Sequence, residues 1–373
     1  MNTQTSVLDR YSDAAKTREA ALCCPVEYDS SLLKLLPQEI IDKDYGCGDP
    51  SRYVRAGDAV LDLGSGSGKI CYLAAQLVGV RGRVTGVDMN DDMLALARKY
   101  QPEMARKLGG ERVRFVKGQI HDLALDQDAL EGYLRQHPVT STTDLSTLQT
   151  WQTQQRTTRP LIAAASMDLV ISNCVLNLVD DTAKPALVRE IFRVLKPGGR
   201  IAISDIVADE PIPQHLKDDP TLWSGCISGA FEEGEFLNAF VDAGFQAIQV
   251  DKWDAKPWQV VEGIEFRAVT VTAIKPEGRE CLDVGQAVMY RGPFAEVRDE
   301  EGHIFPRGER IAVCARTYKA LTQGVHKEHF IGIAPAVLQE PKAWCAPHGT
   351  RRPACVTKGA TFESACASDS GCC

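Results

Sequence analysis

The sequence has no run of about eighteen apolar residues, so no segment is expected to cross a bilayer as a helix. It has no CxxC spacing, which removes the usual zinc and thioredoxin-type signatures. It has no basic excess: 42 Lys and Arg stand against 50 Asp and Glu, a net charge of −8. Proteins that bind by neutralising phosphates need the opposite sign, so no nucleic-acid partner is expected. The opening stretch MNTQTSVLDRYSDAAKTREA is polar and mixed in charge, without the apolar segment of a secretory signal. A cytoplasmic location is the expectation. Internal repeats are absent as well.

What is present suits a globular chain. Of 373 residues, 44% are hydrophobic and 25% charged, enough for buried cores in two or three domains. Thirteen cysteines are the anomaly. The number is odd and no export signal accompanies them, so a structural disulfide framework is not expected. Two vicinal pairs stand out, Cys23–Cys24 and Cys372–Cys373.

Residues 1–58 read as a helical lead-in, with Gly46 and Gly48 marking a loop around Cys47. From 59 to 276, apolar strands alternate with amphipathic helices, the pattern of a parallel sheet covered on both faces. Residues 68–79 and 91–107 read as its first two helices. About residues 124–165, the Thr-, Ser- and Gln-rich stretch reads as a mobile surface insertion before the fourth strand, since a structureless loop this long is uncommon in a compact domain. Residues 277–373 carry short β-like runs and turns, a small α+β C-terminal domain with a loose Cys-rich tail.

The firmest motif is LDLGSGSGKI at 61–70, a strand running into Gly64-Ser65-Gly66-Ser67-Gly68 and then a helix. Glycines there permit a tight turn and close approach of a ligand to the backbone. Asp88 ends the second strand twenty-four residues after Gly64, where a carboxylate can take both ribose hydroxyls. The spacing is GxGxG, not the dinucleotide GxGxxG. With LKPGGRIAISD at 195–205, it resembles the class I S-adenosylmethionine-dependent methyltransferases. The resemblance implies a Rossmann-like α/β sheet with S-adenosylmethionine as cofactor. It also implies contacts from Asp62, Gly64, Ser65, Gly66, Ser67, Gly68, Tyr72, Asp88, Met89, Gln119, Ile120 and Asn173. Met89 is expected to pack on the base, with Gln119 and Ile120 near it.

Four cysteines fall near that edge of the sheet. Cys71 lies in the first turn after the glycine loop, where the helix dipole favours a thiolate. Cys174 follows the fourth strand, Cys226 follows the fifth, and Cys47 sits in the lead-in loop. Several thiolates around one site suit a soft, thiophilic centre; zinc would also fit, but the seven histidines lie elsewhere. The segments SDAAKTREAALCCPVEYD, KDYGCGDPSRYV, LDLGSGSGKICYLAAQLVG, VTGVDMNDDMLALAR, ISNCVLNLVDD and LWSGCISGA resemble the arsenite S-adenosylmethionine methyltransferases over most of residues 6–275.

That resemblance implies As(III) held by Cys71, Cys174 and Cys226, with Cys47 in the first methylation and in disulfide exchange. It implies methyl- and dimethylarsenic products. It also implies a thiol reductant, glutathione or thioredoxin, to reopen the disulfide formed when a cysteine pair returns electrons to arsenic. A monomer is expected. His121, where the family commonly has an acidic residue, reads as a surface or edge side chain. Two other readings stay open: a methyltransferase for a small organic acceptor with incidental cysteines, and a thiol-based metalloid sensor or buffer on the same fold.

Overall fold

The computed structural model describes residues 3–17, 19, 26–43, 45–278, 281–323, 326–337, 339–344, 347 and 349–357. The vicinal pairs Cys23–Cys24 and Cys372–Cys373 lie outside them. The chain divides into two compact units, 1–275 and 276–373.

The first unit opens with helices α1 (Thr3–Lys16), α2 (Ser30–Leu33) and α3 (Gln38–Asp42). Then follow β1 (Ala59–Leu63), α4 (Lys69–Leu77), β2 (Arg83–Asp88), α5 (Asp91–Lys99), α6 (Gln101–Leu108) and β3 (Val113–Lys117). Next come α7 (Gln127–Gln136), α8 (Thr142–Thr158), β4 (Met167–Asn173), α9 (Lys184–Val194) and β5 (Leu195–Ala208). The unit closes with α10 (Gln214–Lys217), α11 (Pro220–Ser224), β6 (Phe231–Glu232), α12 (Glu233–Asp242), β7 (Gln246–Trp253), β8 (Gln259–Val261) and β9 (Ile264–Ile274).

The sheet runs β3-β2-β1-β4-β5-β9-β7. Strand side chains alternate between two cores. Leu61, Leu63 and Ile201 pack under α9 and α12 with Leu187, Ile191, Phe236 and Phe240. Val60, Leu169 and Ala202 pack under α4 and α5 with Ile70, Leu73, Leu94 and Ala97. That period of two is what puts helices on both faces.

Two local expectations need correction. The sheet is not all parallel: β9 pairs antiparallel with both β5 and β7. Only ten residues separate β7 from β9, fewer than the roughly twelve a parallel crossover requires. The helix expected over 91–107 is two, broken at Tyr100, with Pro102 in the first turn of α6.

The surface insertion at 124–165, for which no element was expected, holds α7 and α8. Ser141 and Asp144 close a capping box at the start of α8. Thr147, Thr150 and Thr153 donate their hydroxyls to carbonyls four residues earlier. Tyr133 of α7 stacks on Trp151 of α8 with ring centroids 4.4 Å apart. Arg156 ties α8 to Asp122 at 2.9 Å. No residue of α8 is buried, which is why no apolar period marks it.

The second unit contains β10 (Leu282–Asp283), β11 (Ala287–Tyr290), β12 (Glu296–Arg298), β13 (Ile304–Pro306) and β14 (Arg310–Ala312). It continues through α13 (Ala315–Gln323), β15 (Phe330–Ile333) and β16 (Lys342–Ala343). An antiparallel sheet β14-β11-β15 buries Val288, Ile311 and Phe330 with Leu321 of α13.

Candidate functional site

The turn after β1 sets the floor of a cavity of about 460 Å³, within the usual size of a small-molecule site. Gly64, Gly66 and Gly68 all have positive φ, at 65°, 49° and 85°. A Cβ on Gly64 would come within 2.4 Å of Val175, whereas one on Gly66 would meet only open space. The Gly66 amide donates to the Asp88 carboxylate at 2.8 Å, and the Asn90 amide does the same at 2.8 Å. Burial nevertheless pushes the Asp88 carboxyl up from its ordinary value. Ser65 Oγ is buried with no hydrogen-bond partner among the described residues.

Asp62, Gly64, Ser65, Gly66, Ser67, Asp88, Met89, Gln119, Ile120 and Asn173 all line this cavity, and so does His121. Gly68 and Tyr72 are not among the lining residues. Gly68 caps α4 in the left-handed conformation, and a Cβ there would strike Phe115 at 2.7 Å. Tyr72 is fully buried, donates its hydroxyl to Ala97 O at 2.6 Å and packs edge-on against Phe115. Both serve the corner rather than the cavity.

Asn173 faces the cavity, but its amide is engaged by the Cys47 loop. Its Oδ1 accepts from the amides of Cys47 and Gly48 at 2.9 and 3.0 Å, and its Nδ2 donates to Gly48 O at 2.9 Å. The loop lies so close that a Cβ on Gly46 would stand 2.0 Å from Asn173 Nδ2, and one on Gly48 would stand 2.3 Å from Ser204 Oγ. The flanking glycines therefore let Cys47 settle on the ends of β4 and β5.

Cys174 and Cys226 share an uncommon backbone. Their φ values are 63° and 62°, the left-handed region that non-glycine residues rarely enter and that clusters at functional sites. Both are buried, and Cys226 Sγ donates to Cys174 O at 3.3 Å. Cys47, Cys174 and Cys226 pack in one cluster. One ligand atom each of Cys47, Cys174 and Asp205 lies within 4.8 Å of the others. Asp205 is wholly buried within β5, accepting from the amides of Leu176 and Ile206 at 2.9 and 2.8 Å. Burial pushes its carboxyl up to about 6.

Of the three ligands the resemblance implies, only Cys174 belongs to the group with Cys47 and Asp205; among the described residues neither Cys226 nor Cys71 comes into it. The Cys71 thiol donates to Asp62 Oδ2 at 3.2 Å. Burial first, and then the Asp62 charge, push that thiol well above its ordinary value. The thiolate expected from the helix dipole is therefore disfavoured here, because the dipole is outweighed by a dry pocket holding a carboxylate.

The helical lead-in was expected, but sequence reasoning missed the part α1 plays in the site. Val7, Leu8 and Tyr11 wall the cavity, and the Tyr11 hydroxyl lies 3.8 Å from Cys226 Sγ. Burial, then the nearby Cys226 and Cys174, push the Tyr11 hydroxyl well up. Asn90 anchors the helix through Leu8 O at 3.1 Å and Ser12 Oγ at 3.0 Å; Arg10 anchors it through Thr221 O at 3.0 Å. The amphipathic spacing of Leu8, Tyr11, Ala14 and Ala15 was the available signal.

Comparison with known proteins adds five findings. A methyltransferase-domain family matches residues 55–134 and 147–244, and a domain of unknown function matches 277–362. The chain is 33% identical to an arsenite methyltransferase of Aquipseudomonas alcaligenes, over 84% of each. It is 32% identical to an arsenite methyltransferase of Homo sapiens, over 53% of this chain but only 44% of that one. A solved arsenic(III) S-adenosylmethionine methyltransferase from Chlamydomonas reinhardtii aligns with a TM-score of 0.57 and 27% identity, over 87% of this chain and all of that one. The fold is thus that of the class I S-adenosylmethionine-dependent methyltransferases, as the glycine loop and strand order led one to expect.

Proposed function

The chain belongs to the arsenite methyltransferase family, and from that premise we propose that it transfers methyl groups from S-adenosylmethionine to trivalent arsenic held by Cys174 and Cys226. The cavity suits the cofactor: it has a glycine with open space beside it, a buried serine hydroxyl seeking a partner, and a carboxylate at the end of β2. Asp88 would take the ribose hydroxyls, Met89, Gln119 and Ile120 the adenine, and residues 64–67 the methionine end. Bound there, S-adenosylmethionine supplies an electrophilic methyl group, for which the lone pair of As(III) is the acceptor.

The protein's part is to hold the acceptor. Thiolates on arsenic neutralise it, so no isolated charge is buried beside a sulfonium. Cys47, beside Cys174, is the third thiol that this geometry favours. Cys71, the third ligand expected from the sequence, would first have to leave Asp62. Placing acceptor and methyl donor in one closed site supplies acceleration without a general base. Each transfer formally oxidises arsenic by two electrons. A pair of these cysteines returns them by closing a disulfide, and glutathione or thioredoxin reopens it by exchange. Methyl- and dimethylarsenic species are the products. No described helix is long and apolar enough to cross a membrane. A reducing cytoplasm and a monomeric enzyme fit this chemistry.

The observation that carries the reading is the packing of Cys47 and Cys226 in one cluster with Cys174, which itself lines the cavity. The test is arsenic speciation by chromatography with mass detection, after incubation with arsenite, S-adenosylmethionine and a thiol reductant. Cys174→Ser and Cys226→Ser should each lower methylated arsenic by about 100-fold or more, with cofactor affinity retained. Undiminished turnover in Cys174→Ser would refute the site.

A further inference from the structure

The second unit carries another pair of thiols. Cys281 precedes β10 and is partly exposed, whereas Cys314 is buried and caps the N-terminus of α13. Cys314 Sγ lies 3.3 Å from Thr317 Oγ1 and accepts from the Thr317 amide at 3.5 Å, the place an N-cap oxygen would fill. Cys281 lies close enough to Cys314 to help lower its thiol. Arg316 Nη2 stands 3.8 Å from Cys281 Sγ, and its guanidinium is held in place by Glu301. His303, paired with Asp299 at 2.8 Å, adds a second nearby group able to carry positive charge. Burial works to raise the Cys314 thiol, but the Thr317 hydroxyl and amide, the Arg316 charge and Cys281 outweigh it and leave it below its ordinary value. A cysteine used only for packing has no need of a cation, a helix N-terminus and a second thiol converging on it.

We propose that Cys281 and Cys314 are a redox-active dithiol that exchanges with the disulfide of a small thiol such as glutathione. Cys281, the more exposed, passes its proton to the Cys314 thiolate and attacks one sulfur of the small disulfide. The S–S bond breaks and one small thiolate leaves. That thiolate takes the proton from Cys314, whose sulfur then displaces the second small thiol and closes the Cys281–Cys314 bond. One small disulfide becomes two small thiols, and the protein dithiol becomes a disulfide. Run backwards, the same steps make the pair a store of two electrons. Arg316 steadies the thiolate at each stage. The readout needs no arsenic and no cofactor, so it stands apart from the function proposed above.

The test uses the full chain in a mixture of reduced and oxidised glutathione, acid-quenched and mapped by peptide mass spectrometry. The wild type should yield a linked Cys281–Cys314 peptide, while Cys355, also partly exposed, does not link to either. In Cys314→Ser, which keeps a residue suited to the cap, glutathione should remain trapped on Cys281. Arg316→Met should slow the linkage about tenfold, the effect of moving a thiol by about one pKa unit. Absence of the linked peptide from the wild type would overturn the proposal. So would glutathione on Cys281 no more abundant in Cys314→Ser than in the wild type, or a linkage rate unchanged in Arg316→Met.

Discussion

Asp205 illustrates how much one side chain can be asked to do. It receives the amides of Leu176 and Ile206, and so fixes the turn carrying Cys174 beside Cys47. Its carboxyl is wholly buried, and burial holds the proton on up to about pH 6 against an ordinary value of 3.8. An acid whose pKa is raised by folding lends stability below its unfolded value and loses it as pH climbs through its folded value. Wild-type stability should therefore fall by about 3 kcal/mol relative to Asp205→Asn as pH rises from about 4 to above 6. Denaturant midpoints across that range check it, and a constant difference between the two proteins would refute it. Cys71 teaches the converse at the same scale. Its position in the first turn of a helix is legible, but the Asp62 carboxylate that cancels the dipole is not its sequence neighbour.

At the scale of elements, α8 is a helix that no core requires. It buries nothing, and it is held by a capping box, back-bonding threonines, an aromatic stack and the Arg156–Asp122 pair. Surface ion pairs of this kind contribute about 1 kcal/mol or less. Replacing residues 139–158 with a short flexible linker should leave the affinity for S-adenosylmethionine within about threefold and cost about 1 kcal/mol of stability. Calorimetric titration and denaturant unfolding measure both. A loss of affinity beyond tenfold would mean that α8, through Asp122, positions Gln119 and Ile120. Helix α1 is its opposite. It is amphipathic where α8 is not, and its Leu8 and Tyr11 form a wall of the cavity.

For the molecule as a whole, the two units divide the cysteines. Every residue lining the cavity falls between Gln4 and Ala183, inside the first unit, while Cys281 and Cys314 belong to the second. A chain ending at Lys275 should therefore bind S-adenosylmethionine within about threefold of the full chain by calorimetry. Failure of that fragment to bind, with its secondary structure intact, would give the second unit a part in cofactor binding.

Sequence alone determined the features whose physics is local. The GSGSG turn needs positive φ at successive glycines, and Asp88 follows at a spacing set by one helix and one strand. The near-continuous apolar runs at 60–63 and 169–171 dictate a sheet covered on both faces. Only the tertiary structure decided what depends on partners distant in the chain. It set Asn173 under the Cys47 loop across 126 residues, matched Cys71 to a carboxylate and sent Tyr72 into the core. It also reversed β9, because ten residues cannot carry a parallel crossover. The left-handed backbone at Cys174 and Cys226 belongs to the same class. No local preference favours it at a cysteine, and the surrounding packing must hold it.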